Sequence, residues 1–270
     1  NNFVWTVVED HINPNVLFVG TEFGMYFSMD AGSSWRKFKK VPTIPIRDLE
    51  IHEGEDDLVA ASFGRGFYIV DDYSPIREYS RQIDQKPAHL FSVKSTYQYV
   101  VAAPEKTATG HNFFTSPNPP YGIKLSYYLG NSLLSKFEER QNEESNKFSR
   151  GETIDYPSAK KLEDEAKEKT PKIYLTISDS QGKVVRRIST NKNRGYHEKY
   201  WDLRTYSQRN IDDESNYSGP LVPPGKYSVH IEKFEDDKLE KLTDAYSFDI
   251  IQIGSKSSQE DREKLYDFQL

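Results

Sequence analysis

Apolar and polar residues alternate along most of this chain in short runs, the period of half-buried β-strands. Runs near 3–9, 16–22, 24–29 and 35–39 predict four strands, and runs near 45–52, 57–63, 66–71 and 76–80 predict four more. The two sets repeat at an offset of 42 residues: Val4 aligns with Ile46, Val7 with Leu49, Val19 with Ala61, Gly24 with Gly66, Tyr26 with Tyr68 and Phe27 with Ile69. A repeat of about 40–45 residues carrying four short strands is one blade of a β-propeller. Closed rings need about four to eight blades, because each blade buries its faces against its neighbours. Residues 1–80 therefore predict two terminal blades, with the others upstream of Asn1 or supplied by another chain.

Residues 81–120 read as a connector. His89-Leu90-Phe91-Ser92-Val93 is a candidate short strand, and Ser116-Pro117-Asn118-Pro119-Pro120-Tyr121-Gly122 is turn-rich. A second β domain is predicted over 121–254. Its strands are Ile123 to Leu129, Ile173 to Ser178, Val184 to Ser189, Glu198 to Leu203, Lys226 to Lys233 and Tyr246 to Ile253. In Tyr227-Ser228-Val229-His230-Ile231 the Tyr, Val and Ile share one face, and Ser180-Gln181-Gly182-Lys183 is a hairpin turn. The interval 131–171 is a charge-dense insertion, with a short solvated helix at Lys160 to Lys169 and mobile loop elsewhere. The tail, 255–270, starts a helix with Ser257 or Ser258 as its cap.

Composition narrows the function classes. The mean hydropathy of −0.78 and the lack of any apolar run near the roughly 18–20 residues of a membrane span argue against a spanning helix. A net charge of −6 argues against nucleic acid as the partner. Cysteine is absent, which removes disulfides and cysteine metal sites. The chain opens without Met, inside the strand-like run Phe3 to Val8, so it reads as a fragment or as a mature chain that begins elsewhere.

The octapeptide Ser28-Met29-Asp30-Ala31-Gly32-Ser33-Ser34-Trp35 fits S-x-D-x-G-x-S-W. Ser28 and Asp30 can accept from backbone donors in a tight turn, Gly32 supplies a positive φ, and Trp35 is expected to fold back and bury its ring under the next strand. The pattern resembles the Asp-box of bacterial-neuraminidase-repeat propellers. Val16 to Gly24, running into this box, is similar to sortilin/Vps10-type and glycosyl-hydrolase-like propellers. Gly64-Arg65-Gly66-Phe67-Tyr68-Ile69-Val70-Asp71-Asp72 resembles the final blade of large exported bacterial members. Asp179 to Arg186, Tyr200-Trp201-Asp202-Leu203-Arg204 and Pro223-Pro224-Gly225-Lys226-Tyr227 resemble the immunoglobulin-like domain of the flagellar-hook-capping type. The resemblances imply an all-β chain, two Asp-box propeller blades followed by an immunoglobulin-like β-sandwich. They also imply an extracytoplasmic place: periplasm, outer-membrane surface or secreted. In such enzymes the box sits on the blade periphery, so the glycosyl-hydrolase label is fold analogy and not site evidence.

Candidate chemistry is sparse. Ser28, Asp30, Gly32, Ser34 and Trp35 read as turn structure. Arg47, near the start of an inner-type strand, and Arg65, in a turn, could hold a carboxylate or sulfate, or could pair with Asp48, Glu50, Asp71 or Asp72. Glu50, Asp71 and Asp72 could supply a glycosidase pair, but adjacent Asp71 and Asp72 point to opposite sides of a strand. His11, His52, His89, His111, His197 and His230 show no metal spacing, and neither a phosphate loop nor a nucleophile elbow is present, so no metal, cofactor or catalytic residue is assigned. Tyr200 and Trp201 suit core packing better than a sugar platform. The leading expectation is a noncatalytic binding or scaffold part that recognises a protein, peptide or glycan. The alternatives are a glycoside hydrolase with its catalytic residues mostly upstream, and a structural subunit completed by another chain.

Overall fold

The computed structural model describes residues 2–99, 119–206, 219–254 and 258–269. The chain divides into two compact units, Asn1–Arg81 and Gln82–Leu270. Both are built on β-sheets, and the architecture is all-β.

The first unit holds two antiparallel meanders. In the first, β1 (Val4–Glu9), β2 (Leu17–Thr21), β3 (Gly24–Ser28) and β4 (Arg36–Lys37) pair in sequence order. In the second, β5 (Ile46–His52), β6 (Asp57–Ser62) and β7 (Phe67–Val70) do the same. The inward faces meet in a core of Val16, Phe18, Met25, Val41, Ile46, Leu49, Leu58, Ala60 and Tyr73. The two sheets approach closely at Gly20, where a Cβ would lie 2.8 Å from the Ile46 carbonyl oxygen and 2.8 Å from Thr6 Cγ2.

The repeat is real but not uniform. Val7 pairs with Val19 and Val19 with Tyr26, whereas Leu49 pairs with Ala60 and Ala60 with Tyr68. Val19 thus corresponds to Ala60, an offset of 41 rather than 42, while the flanking strands keep 42. Both first strands carry a register shift at the same place, between Val4 and Thr6 and between Ile46 and Asp48.

The strand expected near 76–80 is instead a short helix, α1 (Ser74–Glu78). Asp72 has φ 49°, and its carboxylate accepts from the Ser74 hydroxyl at 2.6 Å. Pro75 sits in the first turn, where its missing N–H costs nothing, and it could not donate to a ladder beside β7.

The second unit is a β-sandwich. The expected connector contributes two strands: β8 (Ala88–Leu90), which overlaps the candidate strand at 89–93, and β9 (Thr96–Gln98), which was not expected. The strands that follow are β10 (Ile123–Leu129), β11 (Lys172–Asp179), β12 (Val184–Thr190), β13 (Gly195–Trp201), β14 (Gly225–Glu235), β15 (Lys238–Lys241) and β16 (Tyr246–Gln252). One sheet has the order β13-β10-β8 and the other β12-β11-β14-β16-β9, with β15 beside β14. Leu125, Tyr127 and Trp201 of the small sheet and Leu175, Ile177, Val229, Ile231 and Phe248 of the large one share a single core. Trp201 is fully buried and its indole N–H donates to the Arg204 carbonyl at 2.8 Å, which makes it a core residue.

The charged insertion is more ordered than expected. Besides α3 (Ala159–Lys167), it carries α2 (Lys136–Ser149), opened by a capping box in which Ser135 and Glu138 bond each other's backbone N–H groups. Neither helix buries a residue. The tail helix, α4 (Gln259–Gln269), has Ser258 accepting from the Asp261 N–H at 3.1 Å. Ser257, His111 and Ser116 to Asn118 lie outside the described residues.

Candidate functional site

Antiparallel pairing decides which loops of the first unit share an end. The start of β1, the β2–β3 turn, the start of β5 and the β6–β7 turn lie together: Val4 pairs with Thr21, Thr21 with Gly24, Ile46 with Ser62, and the Phe63 N–H donates to the Pro45 carbonyl at 2.9 Å. The other end gathers the β1–β2 and β5–β6 loops, the Asp-box and α1.

The first end exposes large rings: Phe3, Trp5, Phe23, Phe63 and Phe67. Arg47 stands among them. Its guanidinium carbon lies 3.6 Å from the centre of the Trp5 ring and 5.0 Å from that of Phe63. Trp5 belongs to the first sheet and Arg47 to the second, so the stack bridges them. Cation–π contacts of this kind hold a guanidinium by its faces and leave its N–H edge open. Among the described residues, no carboxylate pairs with Arg47 or with Arg65. Asp48 instead accepts from the Leu49 N–H at 3.0 Å. Arg65 is exposed at the tip of the β6–β7 turn between Gly64 and Gly66, around which space is open. Lys37 reaches the same end and donates to the Thr43 hydroxyl at 2.7 Å.

At the opposite end the octapeptide Ser28 to Trp35 closes into the tight turn its residue types require. The Ser28 hydroxyl accepts from the Asp30 and Gly32 N–H groups at 3.2 and 2.9 Å and donates to Asp30 at 2.8 Å. Asp30 accepts from the Ser34 N–H at 2.7 Å and the Ser34 hydroxyl at 2.6 Å. Gly32 has φ 86°. These bonds, the Ser34 hydroxyl first, hold the Asp30 carboxyl at about 2 although it is exposed. Trp35 departs from expectation: its ring stands over Gly32 but remains 42% exposed, because β4 is only two residues long and supplies no cover.

The same end carries a cluster that sequence reasoning missed. Arg77 Nε and Nη2 donate to Asp10 at 2.7 and 2.6 Å, and Nη2 also donates to Asp56 at 2.6 Å. The Tyr73 hydroxyl donates to Asp10 at 2.6 Å, and His11 Nε2 lies 3.4 Å from Asp56. Burial alone would raise the Asp10 carboxyl, but hydrogen bonds from Arg77, Tyr73 and the Asn13 N–H outweigh it and hold the group at about 2. Burial, then Asp10, pushes the Tyr73 hydroxyl up; Asp10 and Asp56 raise Arg77 against the opposing effect of burial. Asp10, His11 and Asp56 are close enough to share a cation. The Arg77 guanidinium already bridges both carboxylates, so the set does not suit a metal ion. Of the remaining carboxylates considered from sequence, Asp72 is engaged by Ser74, and Glu50 is exposed on the face of β5 away from the core.

Among the described residues, no helix is long and apolar enough to cross a membrane. No family model matches the chain, and no curated protein matches it. Solved structures do, two of them of the extracellular domain of BT4673 from B. thetaiotaomicron. The one described as a one component system is 17% identical with a TM-score of 0.22, covering 93% of this chain and 26% of its own. The one described as a hybrid two component system is 16% identical with a TM-score of 0.23, covering 94% and 25%. The chain spans about a quarter of the length of these structures.

Proposed function

We propose that this chain is a noncatalytic recognition part of an exported, propeller-bearing protein. The ringed end of the first unit is its binding face, and the sandwich spaces or docks it. One observation carries the reading: Arg47 is stacked on Trp5 at 3.6 Å, at the surface and without a carboxylate partner among the described residues. A cation held rigid by aromatic rings with its donors free suits recognition. The sequence likeness to sortilin-type Asp-box proteins supports the extracytoplasmic place, and the bonded turn at Ser28 to Trp35 supports the likeness.

The carboxylates that come together in the first unit do not suit glycoside hydrolysis. A glycosidase acid needs a raised pKa and a site open to the glycosidic oxygen. Asp10 has a lowered pKa and is enclosed by Arg77 and Tyr73.

A second feature favours assembly. The outward faces of the two sheets expose Val4 and Val7 on β1 and Phe67 and Ile69 on β7. Blades cover such faces with neighbours, so further sheets, from the same polypeptide or another chain, belong beside them.

The test is a glycan and peptide array probed with the intact chain and with a Trp5→Ala/Arg47→Ala double variant, alongside a reducing-end assay on the bound glycans. Retention lost in the variant, without release of reducing ends, is expected. Sugar release by the wild type, or retention indifferent to the double variant, would overturn the reading.

A further inference from the structure

We propose that the ligand of this face is an acidic polysaccharide, its rings lying on the exposed aromatic faces and its carboxylate or sulfate groups on the guanidinium edges of Arg47 and Arg65. The inference rests on the binding face assigned above and names what fills it.

The argument starts from the geometry of Arg47. At 3.6 Å from the Trp5 ring centre, with Phe63 at 5.0 Å, the guanidinium is fixed by its faces. Its N–H fork is then presented in one plane, the geometry that meets the paired oxygens of a carboxylate or sulfate. Ordering this side chain in the free protein removes part of the entropic cost of binding. Arg65 on the adjoining turn and Lys37 on β4 add positive charge at the same end.

The aromatic part of the surface points to sugars. Phe63 is 67% exposed and lies two residues before Arg65, and Phe3 and Phe23 are exposed at the same end. Flat, exposed rings take the C–H face of a pyranose, while the ring hydroxyls stay in water. An acidic peptide fits less well. Extended peptides are recognised along strand edges, in grooves or in backbone nests. The face lies at strand ends, whereas the edge strands, β1 and β4 of the first sheet and β5 and β7 of the second, run along the sides of the sheets. The chain as a whole carries a charge of −6, so diffuse attraction does not gather polyanions. Binding must come from this local set and must saturate.

Titration calorimetry of the intact chain tests the proposal with four polymers: polygalacturonate, dextran sulfate, dextran and polyglutamate. The first two separate carboxylate from sulfate, dextran lacks the charge and polyglutamate lacks the rings. The expected result is saturable binding of polygalacturonate, dextran sulfate or both, with the two controls at least about tenfold weaker. Arg47→Ala should weaken binding about tenfold or more, and Arg47→Lys less, since it keeps the charge and loses the fork. Arg65→Ala, which disturbs no packing, should weaken it several-fold and serves if Arg47→Ala unfolds. Polyglutamate binding as well as polygalacturonate makes the ligand an acidic peptide and overturns the proposal. Dextran binding as well as dextran sulfate overturns it too, and so does the absence of binding by either acidic polymer. If those results come while the array still shows retention lost in the double variant, the recognition face stands and only its ligand class falls. If every ligand ignores both arginines, both readings fall.

Discussion

Arg77, on the short helix after the second sheet, grips Asp10, at the end of the first strand of the first sheet, through two hydrogen bonds of 2.7 and 2.6 Å. The Asp10 side chain is fully enclosed, and the same guanidinium reaches Asp56 at 2.6 Å. This contact ties the loops of two sheets whose seam also holds an apolar core and, at the other end, the Arg47–Trp5 stack. Arg77→Met would leave two carboxylates facing each other without their cation. Removing one partner of a buried pair costs about 3–5 kcal/mol, and Arg77 retains some exposure, so the lower end is expected. Urea unfolding followed by the fluorescence of Trp5 and Trp35 would measure it; an unchanged midpoint would remove the lock from this account.

The lock should also fail with acid. Asp10 titrates at about 2 in the folded chain, against about 3.9 for an unperturbed Asp. A lowered folded pKa contributes stability that is present above the unfolded value and is lost as pH falls through the folded one. The first unit should therefore hold its stability down to about pH 4 and lose it between about pH 4 and 2. Asp30, also at about 2, adds to the same window. In Asp10→Asn the slope over that range should shrink. Urea midpoints taken at stepped pH would show it, and an equal slope in the variant would contradict the assignment.

The bonded turn at Ser28 to Trp35 and the proposed binding face sit at opposite ends of the first unit, so they should separate by mutation. Asp30→Ala removes three hydrogen bonds within the turn. It should lower the unfolding midpoint of the first unit and leave affinity at the Arg47 face within about twofold, as expected for independent sites. Thermal unfolding and ligand titration on the same sample would decide. Affinity falling in step with stability would count against the separation.

Much of this fold can be read from residues near one another in sequence, and the misses share a cause. Strand alternation and the repeat locate the strands of both meanders, since a period of two survives whatever the tertiary setting. The repeat also misleads: carried past Val70 it predicts a strand where Asp72, Ser74 and Pro75 build a helix. Those three residues are a local signal that outweighs the copy. Helix α2 was legible through Ser135-Lys136-Phe137-Glu138, an S-x-x-E capping box, but its apolar content is too low to attract a helix reading. At the candidate site, Arg47 and Arg65 could be picked out because one lies near the start of an inner-type strand and the other in a turn. Their partners could not. Trp5 is 42 residues before Arg47, and Asp10 is 67 residues before Arg77; neither pairing leaves a trace in local pattern.

The capping box gives a local prediction. Ser135→Ala removes the acceptor for the Glu138 N–H and one donor to the Glu138 carboxylate, which keeps the residue-135 N–H at 2.8 Å and Lys192 at 2.5 Å. Loss of such a cap costs about 1 kcal/mol. Because α2 buries no residue, the cost should appear as faster amide exchange over 136–149 rather than as unfolding of the sandwich. A fall in the global unfolding midpoint of the second unit would mean that the helix supports the core.

Gly20 offers the sharpest test of how the two sheets fit. A methyl group there would stand 2.8 Å from the Ile46 carbonyl oxygen, 2.8 Å from Thr6 Cγ2 and 2.9 Å from Ile46 Cγ2. Two of these atoms belong to the second sheet, one of them to its backbone, so relief requires the sheets to part. Overpacking of this kind costs about 1–3 kcal/mol, and the backbone contact places Gly20→Ala toward the upper end. Parting the sheets would also pull Trp5 away from Arg47, since that stack spans the same seam. Gly20→Ala should therefore lose stability and, while still folded, bind its ligand more weakly, although Gly20 touches no ligand. Paired measurements of unfolding midpoint and affinity would check both. A variant with reduced stability and unchanged affinity would show that the ringed end holds its geometry independently of the seam.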